Sequence, residues 1–158
     1  MAVVSHVKKI LAVSMLCSGL TACATGYSQS QSARFEIHAA SLTESPDWQK
    51  ANLLDDPGTT VYVAPEVLLD NSDVALANAK KDLGGQVLII IQMTPAGTIR
   101  LGSASRVLLR QRMAVMINGE VLTAPVVSAP LSGNRFAITG FKSFEEAQQV
   151  AEGIAPKR

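Results

Sequence analysis

The amino-acid sequence predicts an α+β domain, in which a mixed, mostly antiparallel sheet of about five or six strands packs against two or three helices. Three observations predict this class. Asn118 and Gly119 separate two apolar runs, and this pair is the strongest short-range signal for a β-hairpin. Residues 86–93 form a β-branched apolar run bounded by turn residues, as a buried strand does. Ser143 and Glu146 form a capping box ahead of a helical apolar stripe.

Residues 1–22 have the layout of a bacterial signal peptide, with lysines followed by an uncharged apolar run and then small residues. Residues 20–23 read LTAC, which resembles the lipobox of lipoproteins. In that class the signal is removed after Ala22, and Cys23 is fatty-acylated. An ordinary secretory signal with a chance cysteine and an uncleaved membrane anchor are the alternatives. The apolar run, however, is only about half of the ~20 residues that a spanning helix needs. We therefore expect attachment to a membrane through acyl chains on Cys23.

The residue after the modified cysteine is Ala24 and not aspartate. By the usual sorting rule for lipoproteins of double-membraned bacteria, this residue favours the outer membrane, facing the periplasm. Residues 24–33 are small, polar and uncharged, typical of a flexible tether with a reach of roughly 16–19 Å. The predicted organisation is a signal peptide over 1–22, an acylated cysteine with a tether over 23–33, and one folded domain over 34–158.

Composition narrows the classes of function. Removing residues 1–22 takes away two of the 14 basic residues and none of the 13 acidic ones, which leaves a net charge of −1. This near-neutral charge argues against nucleic-acid binding. Cys17 lies in the signal peptide and Cys23 is consumed by acylation, so the folded domain has no thiol for a disulfide, a metal site or a nucleophile. His38 is the one remaining histidine. We expect no metal, because a site needs three or four donors, and no cofactor.

The first part of the domain is predicted to contain two strands. Residues 34–40 alternate with period two, which places His38 on the solvent side of a half-buried strand. Residues 41–59 predict a loop with one helical turn near Trp48, a local packing anchor. Residues 60–64 predict a short strand.

The middle of the domain is predicted to be a helix, a strand and a second helix. Residues 71–73 offer N-cap chemistry for a helix that runs to Leu83 and ends at a diglycine. Residues 86–93 predict a central strand covered on both faces. After a Thr-Pro-Ala-Gly turn, residues 98–110 predict a helix.

The hairpin predicts a definite register. Counting outward from the turn pairs Ile117 with Glu120, Met116 with Val121, Val115 with Leu122, and Ala114 with Thr123. Pro125 cannot donate to a ladder, so the second strand must bulge there or lie at an edge. Residues 135–139 predict a further strand, and the final helix presents an apolar stripe formed by Phe144, Ala147, Val150, Ala151 and Ile154.

A basic segment precedes the hairpin. No acid lies between Asp82 and Glu120, while four arginines do: Arg100, Arg106, Arg110 and Arg112. One interpretation is a solvated face whose long stems cover the sheet. The other is recognition of a phosphate or carboxylate on a partner, which makes Arg106, Arg110 and Arg112 the candidate partner contacts.

No set of residues predicts catalysis. The serine string GSASR at residues 102–106 lacks nucleophile-elbow spacing, and Arg106 stands where a penicillin-binding enzyme needs a lysine that can lose its proton. The acid pairs at 55–56 and 145–146 lie in a loop and in a first helical turn, where acids need no catalytic explanation. We expect no catalytic residues.

Several segments together resemble a known family. The matching residues are Asp73, Val74 and Ala77; Pro95 and Gly97; Ala114 to Ile117 with Gly119 and Val121; Ala124 and Pro125; and Ile138 to Gly140 leading into Glu145, Glu146 and Ala147. In order and spacing they resemble the head subdomain of the first periplasmic domain of SecD, over roughly residues 61–154. The resemblance implies an α+β fold that contacts emerging or unfolded polypeptide. No run of about 20 apolar residues follows Cys23, so we do not expect the proton-driven motor of SecD.

Two hypotheses follow. The first is a non-enzymatic, lipid-anchored envelope protein that binds a protein or polypeptide partner. The second is a structural or protective envelope lipoprotein without a polypeptide client. An enzyme ranks third.

Overall fold

The computed structural model describes residues 32–155. The predicted signal peptide, the cleavage site after Ala22 and the acylated Cys23 lie outside the described residues. Within them are nine strands, β1 (Phe35–Ser41), β2 (Gln49–Asn52), β3 (Thr60–Val63), β4 (Leu69–Asp70), β5 (Val74–Lys81), β6 (Val87–Met93), β7 (Arg112–Ile117), β8 (Glu120–Thr123) and β9 (Arg135–Ile138). The helices are a 3₁₀ turn at Asn71–Asp73, α1 (Pro95–Val107) and α2 (Phe144–Ile154).

The strands form two sheets in which every pair is antiparallel. Sheet A has the order β2-β3-β1-β7-β8, with β4 also paired to β1, and sheet B has the order β5-β6-β9. The main core contains buried residues of both sheets and both helices, among them Ile37, Ile91, Leu101 and Ala151. This arrangement confirms the predicted α+β class.

Sheet A is covered on both faces, which corrects the prediction for His38. A second apolar cluster that includes Ala40, Ala114 and Met116 lies on the face opposite the main core. His38 belongs to that face and is only 7% exposed. Its Nδ1 donates to the Ala64 carbonyl oxygen at 2.9 Å. The alternation predicted the strand correctly but wrongly assigned one face to solvent, because the second apolar cluster lies on that face.

Residues 49–52 also differ from prediction. They form strand β2, paired with β3 from Gln49↔Val63 to Asn52↔Thr60, instead of a helical turn. The alternation in this segment is weak because β2 is an edge strand that is mostly exposed. Its conformation is therefore set by its partner across the 53–59 turn.

The predicted hairpin turn is confirmed, but the pairing register of the two strands changes by one residue beyond Met116. Asn118 and Gly119 both have positive φ, as a type I′ turn requires. Ile117 pairs with Glu120 and Met116 with Val121, but Val115 pairs with Thr123 because a bulge intervenes. The predicted pairings of Leu122 and Thr123 are therefore wrong by one residue. As predicted for a strand followed by Pro125, β8 lies at the edge of its sheet.

The predicted helix from the cap at residues 71–73 to Leu83 is wrong, because Val74–Lys81 forms strand β5. Its alanine, leucine and lysine content favours a helix, but β5 gains a full antiparallel ladder with β6. The diglycine belongs to the turn between the two strands, where Gly85 has a φ of 82°. Tertiary pairing has overridden local propensity here.

The N-cap predicted within residues 71–73 is found one residue earlier, at Asp70, and it caps the 3₁₀ turn. Asp70 is the N-cap and accepts from the Ser72 backbone N–H, while the Asp73 side chain accepts from the Asp70 N–H. Hydrogen bonds from the Ser72 hydroxyl and backbone N–H lower the pKa of Asp70. Asp73 is 2% exposed and forms an ion pair with Arg100, with a distance of 3.0 Å between Nη1 and Oδ2.

Strand β6 is central in sheet B, as predicted, but it is not covered equally on both faces. Ile89, Ile91 and Met93 are buried in the main core, while Leu88 and Ile90 are only partly buried. The α2 helix packs on the core face of the sheet through Ala147, Ala151 and Ile154.

The two α-helices have strong start signals. Helix α1 begins and ends three residues earlier than predicted, because Thr94 caps it through the Gly97 N–H and Pro95 occupies its first turn. Helix α2 is confirmed, with the Ser143 hydroxyl accepting from the Glu146 N–H at 3.1 Å. The Glu146 carboxylate accepts from the Lys142 N–H and not from the cap residue itself.

Candidate functional site

An apolar cavity of about 320 Å³ lies between the two sheets. Its walls come from β1, β7, α1 and β9, and from the segment that follows β8. The most buried apolar side chains in its lining are Ile37, Leu101, Ile138, Val115 and Met113. The described residues that line the cavity include no ionisable side chain, so the site offers apolar contact and backbone polar groups instead of acid–base chemistry.

The cavity forms because the chain near β8 lies close to the chain near β9 at Leu122 and separates from it beyond that residue. Just after β9, the chain lies close to β8: a Cβ built on Gly140 would lie 3.2 Å from Leu122 Cδ1. Beyond Leu122 the chain follows β7, since the N–H of Met113 donates to the Pro125 oxygen and that of Val127 to the Gln111 oxygen. The space between this extension and β9 forms the cavity.

A loop at the mouth of the cavity is held at both ends. The Arg110 N–H donates to the Val127 oxygen at 2.8 Å. At the other end, the Leu131 N–H donates to the buried Ser105 hydroxyl at 2.9 Å. Ser128 and Ala129, which line the cavity between these anchors, are exposed. A short exposed segment therefore borders the mouth, and hydrogen bonds hold both of its ends.

Ser105 gives the GSASR string a structural role that the sequence analysis missed. The Ser105 hydroxyl donates to the Gly102 oxygen while it accepts from the Leu131 N–H. A Cβ built on Gly102 would lie 3.4 Å from the Leu131 oxygen. The Ser105 hydroxyl thus holds the mouth loop against this face of α1, and Gly102 lies at an ordinary contact distance from it.

The four arginines do not form one patch. Arg100 is paired with the buried Asp73, and the Arg112 guanidinium donates to the Ala124 oxygen at 2.6 Å. These two therefore fit the interpretation of long side chains that cover the fold. Arg106 is exposed in the last turn of α1 and lines neither described cavity.

A second, more open cavity of about 550 Å³ contains the other predicted contacts. Arg110 and Arg112 line it together with Trp48 and Leu42. Val126 lines both cavities. The structure thus brings Arg110 and Arg112 together beside the apolar cavity and leaves Arg106 apart.

Sequence reasoning missed most of the first cavity. Phe136, Ala137 and Thr139 of the β9 region line it, although β9 itself was predicted. The available signal was the proline-containing connection over residues 124–134, which is longer than the roughly two to five residues usual for a hairpin loop. In residues 32–155, no group of three or more His, Cys, Asp or Glu side chains is placed to hold a metal ion. Neither described helix has the length and hydropathy to cross a bilayer.

Comparison with protein families finds a match to the SecDF P1 head subdomain over residues 46–154. The chain belongs to this family. It is 31% identical over 110 residues to the protein translocase subunit SecDF of Thermus thermophilus, covering 70% of this chain and 15% of that protein. It is 31% identical over 84 residues to the protein translocase subunit SecD of Acidaminococcus fermentans, covering 53% of this chain and 20% of that protein.

The head-subdomain fold is also found in solved structures. A structure of SecDF, a membrane component that enhances protein export, matches 79% of this chain and 63% of that chain with a TM-score of 0.66 and 23% identity. A SecDF crystal structure in the super-membrane-facing form matches with a TM-score of 0.65, covering 19% of its chain. The chain thus spans at most about a fifth of the length of the two translocase subunits that it matches.

Two glycines of the head-subdomain resemblance have packing roles in this chain. A Cβ built on Gly97 would lie 2.4 Å from the Asp73 backbone oxygen, so only glycine lets α1 approach the 3₁₀ turn so closely. Gly140 has a φ of 106° at the point where β9 leaves the cavity. These residues fix the positions of α1 and β9, two of the cavity walls.

Proposed function

We propose that this protein is a non-enzymatic component of the bacterial envelope that binds extended polypeptide in the cavity between its two sheets. The half-open apolar cavity is the observation that carries the proposal. Membership of the SecDF P1 head family supports it, since relatives include translocase subunits and a membrane component that enhances protein export. The proposed site of action is the periplasmic side of the envelope.

The cavity favours weak and broadly tolerant binding. Its lining is aliphatic around Leu101, Met113 and Val115, with the Phe136 ring at one side. Burial of one Val or Leu side chain contributes about 1.5–3 kcal/mol. A cavity that takes two such side chains gains about 3–6 kcal/mol, which reaches only the lower end of the roughly 4–15 kcal/mol cost of association. Such affinity suits transient contact with a moving chain.

The proposal also includes a lipid anchor on Cys23. The lipobox at residues 20–23 supports acylation of Cys23 after cleavage behind Ala22, and the polar tether over 24–33 supports a domain held close to the bilayer. Two acyl signals are needed for stable attachment, which the diacylated cysteine supplies. The residue Ala24 supports retention in the outer membrane.

The peptide-binding proposal is tested with a fluorescently labelled peptide in which valine alternates with serine, flanked by lysines. The full chain is purified from membranes in detergent and titrated by fluorescence anisotropy. Ala129→Trp places a large side chain at the mouth of the cavity and should weaken binding at least about tenfold. Ala96→Trp is the matched control, because Ala96 is exposed near the start of α1 and does not line the cavity; it should bind like the parent.

Two results would count against the proposal. If the parent does not bind the peptide, the result favours the hypothesis of a structural or protective lipoprotein without a polypeptide client. If both tryptophan variants bind like the parent, binding occurs elsewhere on the surface. The anchor is tested separately with Cys23→Ser, which should leave the membrane fraction and lose the acyl mass on the first residue.

A further inference from the structure

Strand β9 has one free edge in the described part of the chain. It lies at the end of sheet B and pairs only with β6, from Ile89↔Ile138 to Gln92↔Arg135. A strand edge of this kind presents main-chain donors and acceptors that can pair with another strand.

The register shows which groups face outward. The Met93 N–H donates to the Asn134 oxygen at 2.8 Å, so this pair is of the hydrogen-bonded type. Such pairs alternate with non-hydrogen-bonded pairs along an antiparallel ladder. Phe136 and Ile138 therefore exchange hydrogen bonds with β6. The N–H and C=O groups of Ala137 point away from β6. Thr139 is the residue directly after the last pair of the ladder, Ile89↔Ile138.

The outward-pointing groups face the cavity. Phe136, Ala137, Ile138 and Thr139 all line it. Since side chains alternate between the faces of a strand, a cavity over one face would contact every second residue. Contact with four consecutive residues means that the cavity runs along the edge of the strand.

The cavity wall opposite β9 is also a strand edge. Around Val126, the flanking residues make the hydrogen bonds to β7, from Met113 N–H to the Pro125 oxygen and from Val127 N–H to the Gln111 oxygen. The main-chain groups of Val126 itself therefore point away from β7. The cavity is thus bordered by strand edges as well as by apolar side chains.

From this geometry we propose that the partner polypeptide binds as an added β-strand along the β9 edge, pairing through its main chain with Ala137 and Thr139. The occupant is an extended segment with an apolar residue at every second position, and those side chains enter the space lined by Leu101, Met113 and Val115. Main-chain pairing tolerates many sequences, and the alternating pocket selects apolar ones. This inference rests on the proposed function and specifies how the same site binds.

The test removes one outward-facing donor. Ala137→Pro deletes the Ala137 N–H, which the β6 ladder does not use, and proline is tolerated at such edge positions. The Ala137 side chain is exposed, so the ring does not enter the core. Ala137→Val is the matched control because it retains the N–H. With the valine–serine peptide and the full chain in detergent, Ala137→Pro should bind about tenfold more weakly than Ala137→Val, because both variants change the side chain and only proline removes the N–H.

A second measurement leaves the protein unchanged. Two versions of the peptide carry N-methyl groups on alternate residues, one on the valines and one on the serines. In an added strand only one set of N–H groups faces β9, so one version should lose binding and the other should retain it. If Ala137→Pro melts well below the parent, its weaker binding would reflect loss of folding, and the N-methylated peptides then test strand addition on the unchanged protein.

The outcomes separate the two proposals. Failure of the unmodified peptide to bind the parent overturns the proposed function. Binding of the unmodified peptide together with equal binding of the two N-methylated versions overturns strand addition and leaves the apolar cavity as the site.

Discussion

Gly97→Ala should destabilise the domain, because α1 packs against the backbone of the 3₁₀ turn with no room for a methyl group. The added Cβ would lie 2.4 Å from the Asp73 oxygen and 2.8 Å from the Asp73 Cβ. Both neighbours are poorly able to move, since the Asp73 oxygen accepts from the Thr94 N–H and the Asp73 side chain is paired with Arg100. The helix must therefore shift.

The size of the effect follows from three contributions. Overpacking of a close contact costs about 1–3 kcal/mol. Weakening of the hydrogen bond from the Thr94 N–H to Asp73, 2.8 Å long in the parent, costs about 0.5–1.5 kcal/mol. The better helix propensity of alanine offsets up to about 1 kcal/mol. The free energy of unfolding should fall by about 1–4 kcal/mol, or about 3–5 °C in Tm per kcal/mol for a domain of this size.

Thermal and urea unfolding followed by circular dichroism measure this change. Gly102→Ala is the matched control on the same helix, because its Cβ would lie 3.4 Å from the Leu131 oxygen, close to an ordinary contact distance. It should leave the stability unchanged or raise it by up to about 1 kcal/mol. A Gly97→Ala variant that melts at or above the parent temperature would refute the packing described for α1.

Three further predictions concern the mouth loop, the 3₁₀ cap and the arginines. Ser105→Ala removes the acceptor for the Leu131 N–H and should cost about 1–3 kcal/mol; hydrogen exchange should quicken over residues 128–131, and unchanged exchange would contradict the anchoring role. Ser72→Ala should raise the pKa of Asp70, which hydrogen bonds from Ser72 lower. The stabilisation is present above the ordinary carboxyl pKa and is lost as the pH falls through the lowered one, so parent and variant should converge in strong acid, with NMR titration of Asp70 as the measurement. Arg106→Ala should leave the Kd for the valine–serine peptide unchanged, because Arg106 lines neither cavity; a weaker complex would extend the site to α1.

The sequence predicted best those elements whose signals are local. The capping serine and apolar stripe of α2, and the Asn-Gly turn of the hairpin, depend on residues a few positions apart, and both are present as predicted. Strand β5 was missed because its composition favours a helix, while its conformation is decided by a ladder with β6. The face of His38 was missed for the same reason, since its burial depends on strands distant in the chain.

The candidate site was only partly predictable. The arginines were visible as a charge pattern, but whether each reaches a partner depends on contacts with Asp73 and Ala124 that the pattern does not contain. The cavity arises where the chain after β8 separates from β9, and no local motif encodes that separation. The free groups of Ala137 are visible only once the register with β6 is known.

Site-specific photo-crosslinking in native membranes tests polypeptide binding most directly. A photoreactive residue at Ala129, on the mouth of the cavity, is compared with the same residue at Ala96. The cavity proposal predicts adducts with extended segments of envelope proteins at position 129 and none at position 96, with loss of the adducts when the valine–serine peptide is in excess. Equal labelling from both positions, or labelling at 129 that the peptide does not compete away, would contradict it.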